Sequence, residues 1–227
     1  MEKINKLILE SGFYQIKKDE TYDIMTATWG NVVIFDDSSS DEEIKISLWE
    51  GSKLMYFWFF RNNSKILKIR QDSLNSHSEL SILNLVKNAK KENRISAIIN
   101  ANGSSSKINI LSIIWSLWDM RTDSSITVSK WTKKWIANLK QENILIWDTA
   151  KVAWIPALYV HSDDAAATHS MKIEKMKDED LFYLTSRWID NSSASAIMLS
   201  GKVSSLFSGY AGNKDFLFEA LDNFLKK

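Results

Sequence analysis

From Tyr22 to Arg70 the apolar and polar positions alternate with period two, the mark of half-buried strands. The segments TYDIMTATW and NVVIFD flank Gly30, and EIKISLWE and KLMYFWFF flank Gly51-Ser52, so each pair reads as a hairpin; SKILKIR follows as a fifth strand. In EIKISLWE, Ile44, Ile46 and Leu48 share one face and Lys45, Ser47 and Trp49 the other, as in an antiparallel strand with one face on the core. Leu54 to Phe60 is apolar on both faces, which predicts a central strand covered on both sides. Ahead of these strands, Ile4, Leu7 and Ile8 fall at helical spacing and predict a short opening helix over residues 2 to 11.

From Ser78 the spacing becomes helical. Leu80, Leu83 and Val86 recur at three-residue steps and predict a helix ending in a Lys-rich turn. NANGSSSK (100 to 107) reads as a domain seam, and INILSIIWSLW, apolar nearly all round, as a buried helix. Val128, Trp131, Trp135 and Leu139 then predict one face of an amphipathic helix with Lys130, Lys133, Lys134 and Lys140 outside. ILIW and VAWIPALYV read as a hairpin, whose second strand Pro156 places at an edge or bulge. DEDLFYLTSRWID, SASAIMLSGKVSSLF and KDFLFEALDNFLKK predict three closing helices, and no internal repeat is evident. The fold class expected is α+β: a helix-flanked antiparallel sheet over 1–99, then a mainly helical domain over 100–227.

Composition narrows the function. The 227 residues contain no Cys, which removes disulfides, thiol nucleophiles and cysteine ligation of zinc or iron–sulfur clusters, and fits a reducing compartment. The apolar opening is too short and too charged for a secretory signal, and no run is long enough to span a membrane, so a cytoplasmic protein is expected. Net charge is +1, whereas backbone contact with nucleic acid requires excess cations. Only residues 96 to 160 are basic, with 7 Lys and Arg against 4 Asp and Glu.

That basic stretch lies in a buried helix, a turn, an amphipathic helix and a two-stranded hairpin, an order that resembles a winged helix-turn-helix over about residues 108–160. The resemblance implies a recognition helix presenting Ser129, Lys130, Lys133 and Lys134 to DNA, with Lys151 in the wing; its turn, DMRTDSS, is longer than the family's and lacks glycine. A second chemistry is a metal-dependent nuclease, in which Glu43-Ile44-Lys45 supplies a carboxylate and a lysine and Asp23 or Asp36 the other carboxylate. A third is a metal held by His161, Asp163 and His169, although two His eight residues apart match no standard zinc spacing. Phosphate-binding loops and nucleophile elbows are absent from the sequence.

Ten Trp and ten Phe on a charge-balanced chain favour anchoring of a protein partner. The function expected is a non-catalytic adaptor or binding protein of a cytoplasmic assembly, without cofactor or membrane contact; a DNA-binding regulator and then the nuclease are the alternatives.

Overall fold

The structure is a computed structural model and describes residues 5–16, 21–38, 43–61, 64–87, 91–115, 119–146, 149–176 and 178–225. Among the described residues, fourteen strands precede three helices. In chain order the strands are β1 (Asn5–Leu9), β2 (Gly12–Ile16), β3 (Tyr22–Thr26), β4 (Asn31–Asp36), β5 (Glu43–Leu48), β6 (Lys53–Arg61) and β7 (Lys65–Gln71), then β8 (His77–Val86), β9 (Lys91–Ile99), β10 (Ser105–Ile114), β11 (Asp119–Val128), β12 (Trp135–Leu145), β13 (Lys151–Val160) and β14 (Ala165–Lys175). Odd strands form one seven-stranded sheet, called A here, and even strands form a second, B, each in sequence order and parallel throughout. Successive strands therefore lie in opposite sheets, and the chain winds as a parallel β-solenoid.

The coil is not of fixed length. Tyr22, Ile44, Leu67, Ile95, Ser124 and Pro156 are successive partners in sheet A, so one turn of the chain grows from 22 residues to 32. At one edge the coils are held in step by a column of left-handed residues: Trp29, Gly51, Asn75, Gly103 and Lys134 all have positive φ. Each donates its backbone N–H to a carbonyl of the next turn, Trp29 to Glu50, Gly51 to Leu74, Asn75 to Asn102, Gly103 to Lys133 and Lys134 to Asp164. Glycine suits two of these sites because a Cβ on Gly51 would lie 2.2 Å from the Trp29 ring and one on Gly103 2.1 Å from Asn75 Oδ1.

Between the sheets lies a core of inward residues such as Ile24, Ile46, Ile69 and Ile126 from A and Leu54, Tyr56, Leu80 and Ile108 from B. A second core forms on the outer face of sheet B, where Phe57, Phe59, Leu83 and Leu111 are covered by the helices α2 (Asn191–Leu206) and α3 (Asp215–Leu225) through Leu199, Val203, Leu217 and Leu221. The remaining helix, α1 (Asp178–Thr185), leads out of the last strand. Asp190 caps α2, accepting from the Ser193 N–H at 3.0 Å. Lys202 on α2 pairs with Glu142 of β12 and, at 2.9 Å, with Glu174 of β14, which clamps the helix to the sheet. No helix among the described residues is long and apolar enough to cross a membrane.

This architecture corrects the sequence reading in several places. The sheets are parallel and the fold is a solenoid, not α+β with an antiparallel sheet, and the proposed hairpins are strands on opposite sheets. The opening segment is strand β1, so far as it is described, and the helices expected from Ser78 onward are β8 to β12. The residues expected to form a winged helix-turn-helix are strands of the solenoid. The five strands of the first third, the edge position of β13 and the three closing helices are where the pattern put them.

Candidate functional site

Every solenoid has two ends at which inward side chains run out of neighbours. At both ends the last strand of each sheet pairs on one side only among the described residues. At the first, Leu9 and Ile16 are 8% and 7% exposed, while Leu7, in register with buried Ile24, is 39% exposed. At the other, β13 and β14 pair on one side only, with β11 and β12, and present their second edge unpaired. Leu158 and Val160 stand in register with buried Ile126 and Val128, and Met171 and Ile173 with buried Gln141 and Asn143, so all four continue core columns. Yet Val160, Met171 and Ile173 are 41%, 44% and 45% exposed. Ile155 and Tyr159 on the outer side of the same coil are exposed as well. The arrangement can bind protein in two ways at once, by adding strands to two backbone edges and by covering apolar side chains.

Of the residues singled out by chemistry, the structure brings Asp23, Glu43 and Lys45 together and leaves Asp36 apart. Asp23 and Lys45 are register partners on the outer face of sheet A, and Glu43 pairs with Lys68 at 2.5 Å and Lys45 at 3.2 Å. The Lys68 hydrogen bond, outweighing partial burial, holds the Glu43 carboxyl below its usual range, so two lysines already neutralise it. Asp36 is elsewhere, buried between the sheets, where its Oδ2 accepts from Lys65 Nζ at 2.7 Å and from the Tyr56 hydroxyl and its Oδ1 from the Ser38 hydroxyl at 2.6 Å. Burial, with Asp36 alongside, pushes the Tyr56 hydroxyl well above its ordinary pKa.

Ser129, Lys130, Lys133 and Lys134 lie in the turn from β11 to β12, not on a helix. The Ser129 hydroxyl donates to Asn100, Lys130 sits 5.1 Å from the Trp131 ring centre, and the Lys133 N–H donates to Asn102 Oδ1 at 2.7 Å. Lys151 opens β13, a strand's length from that turn, so the five do not share one surface. His161 and Asp163 occupy the turn from β13 to β14, whereas His169 is mid-strand, roughly 15 Å along at the rise of an extended chain. Among the described residues no three His, Asp or Glu are grouped to hold a metal ion. What the sequence reading missed is the open end itself, whose signal was the run of apolar residues in VAWIPALYV facing both sides of an edge strand.

The fold is a parallel solenoid with a helix layer on one sheet. The comparison with known families is specific: the family model described as "SUF system FeS cluster assembly, SufBD core domain" matches residues 60–202, more than half of the chain. The chain belongs to the SufBD core domain family. No curated protein matches it. The match replaces the winged-helix assignment and with it the DNA-binding reading. An iron–sulfur cluster, the cargo of such a system, finds no thiolate on this chain, which has no Cys.

Proposed function

We propose that the chain is a non-catalytic scaffold of iron–sulfur cluster assembly in the cytoplasm, acting through contact with a protein partner at its open end. The observation that carries this reading is the exposure of core-column residues Val160, Met171 and Ile173 beside two unpaired strand edges. Family membership supports the process, and the absence of thiolates supports leaving cluster ligation to the partner. The test is co-purification of the tagged chain from its host. Other SUF proteins are expected with the wild type and are expected to be lost with Val160→Lys/Ile173→Lys, which places charges on side chains already exposed and leaves the circular dichroism unchanged. Retention of those proteins by the folded double variant would overturn the docking site, and their absence from the wild-type preparation would overturn the process.

A further inference from the structure

The helix layer covers only part of sheet B. Between it and the column of turns the outer face is bare, and the strands there form the floor of a trough of about 600 Å³, within the size range of small-molecule sites. Two outward rows cross it in register. One runs Asn31, Lys53, His77, Ser105, Ile136, and the other Val33, Met55, Glu79, Lys107, Asn138. In a parallel sheet neighbours in such a row stand about 4.8 Å apart, so Lys53, His77 and Ser105 bring an ammonium, an imidazole and a hydroxyl within one small group's reach.

The pairing of these side chains leaves donors over. Glu79, the only carboxylate among the lining residues, is held by Lys107 at 2.7 Å. Lys53 has no ion pair among the described residues. His77 Nδ1 and Ser105 Oγ are 2.8 Å apart. Where the hydroxyl donates to Nδ1, the Nε2–H remains; where Nδ1–H donates to the hydroxyl oxygen, the hydroxyl proton remains; a protonated imidazole frees both. The apolar lining near this triplet is Val33 and Met55 in the second row, toward the helix layer, and Ile136 at the end of the first row; the Glu79–Lys107 pair lies between them.

We propose that this trough binds a phosphate monoester carrying an apolar body, the phosphate on Lys53, His77 and Ser105 and the body against Met55, Val33 and Ile136. Three donors on three adjacent strands match the three free oxygens of a phosphate monoester, where a carboxylate offers two. The charge balance agrees, because the groups facing His77 are Lys53 from β6, Glu79 from its own strand and Lys107 from β10, and the last two neutralise each other. Partial burial, and then Lys53, hold the His77 pKa below its ordinary value, so a bound dianion must raise it. The site lies on sheet B's outer face, away from the β13 edge, so its failure would leave the docking reading untouched, and the reverse.

The probe is phenyl phosphate, titrated into the full chain beside inorganic phosphate while the three histidines are followed by NMR. The expected result is saturable binding that raises the His77 pKa by about one unit and leaves His161 and His169 unmoved. Phenyl phosphate should bind about tenfold tighter than inorganic phosphate, since it alone reaches the apolar flank. Lys53→Gln, at an exposed side chain whose loss leaves the fold intact, should weaken it about tenfold or more. An unmoved His77, a parallel movement of all three histidines, or unchanged affinity in Lys53→Gln would overturn the site. Equal affinity for the two probes would overturn the apolar flank.

Discussion

Trp131 and Trp135 look alike in the sequence, four residues apart among lysines, and the structure gives them opposite roles. Trp131 has positive φ and is 80% exposed, whereas Trp135 opens β12 and is 2% exposed. Helical spacing put both on one buried face because nothing in the local pattern marks the left-handed turn that separates them. Trp135→Ala should cost about 3–5 kcal/mol in urea unfolding, while Trp131→Ala should change stability by no more than about 0.5 kcal/mol. Equal effects would place both in one environment and contradict the turn. Lys65 makes a second contrast, a charged side chain fully buried against Asp36. Lys65→Met should destabilise the protein by about 3–5 kcal/mol, because the Asp36 carboxylate is left in the core without a cation, its partners only the Tyr56 and Ser38 hydroxyls and the Ser38 N–H. The double variant Asp36→Leu/Lys65→Met should recover much of that loss; a double variant as unstable as the single would show that packing, not the stranded charge, dominates.

At the scale of elements, legibility follows from how many faces are covered. β5 has one face on the core and one in solvent, and its period of two was plain in Ile44, Ile46 and Leu48. β8 and β10 have the solenoid core on one face and α2 and α3 on the other over their second halves, so Ser81 to Val86 and Ile110 to Ile114 are buried without a break. Alternation disappears there, and the three-residue steps of Leu80, Leu83 and Val86 are a by-product of a run in which most positions are apolar. Strand direction was unreadable even where strands were found, because alternation reports burial and not the partner's sense. The clamp of α2 on the sheet carries a pH signature. Glu174 is drawn down to about 2 by its hydrogen bond with Lys172 and then by Lys202, against an ordinary 4.5. Burial draws Lys202 down, but its pairs with Glu142 and Glu174 outweigh that and leave it raised. A carboxylate depressed in the folded state stabilises it fully above its unfolded pKa and loses that contribution as pH falls through the folded one. Unfolding stability should therefore drop between about pH 5 and pH 2, and Glu174→Gln should flatten that slope; an identical slope in the variant would show that the clamp contributes nothing.

The whole molecule was hidden by its variable coil. A fixed period would have been found, but coils that lengthen from 22 to 32 residues dilute it, and what recurs is a left-handed residue followed by a small one, as in Trp29-Gly30, Gly51-Ser52, Asn75-Ser76 and Gly103-Ser104, until Lys134-Trp135 breaks the pattern. Such a stack is quasi-one-dimensional, each coil held by its neighbours, so its end coil is held from one side only. The β13 and β14 ladders lack outer partners among the described residues, as do β1 and β2 at the other end, and β14 is exposed along nearly its whole length, which places the end strands at the low end of local stability, while β6, β8 and β10 lie between ladders on both sides under the helix layer. Hydrogen exchange of the isolated chain should show the end strands, β13 and β14 among them, opening before the central ones. Addition of the partner should slow exchange in β13 and β14, because strand addition pairs the free edge and burial of Val160, Met171 and Ile173 removes water from it. If protection appears instead on α1 to α3 with β13 and β14 unchanged, the partner sits on the helix layer and the open end is not the docking site.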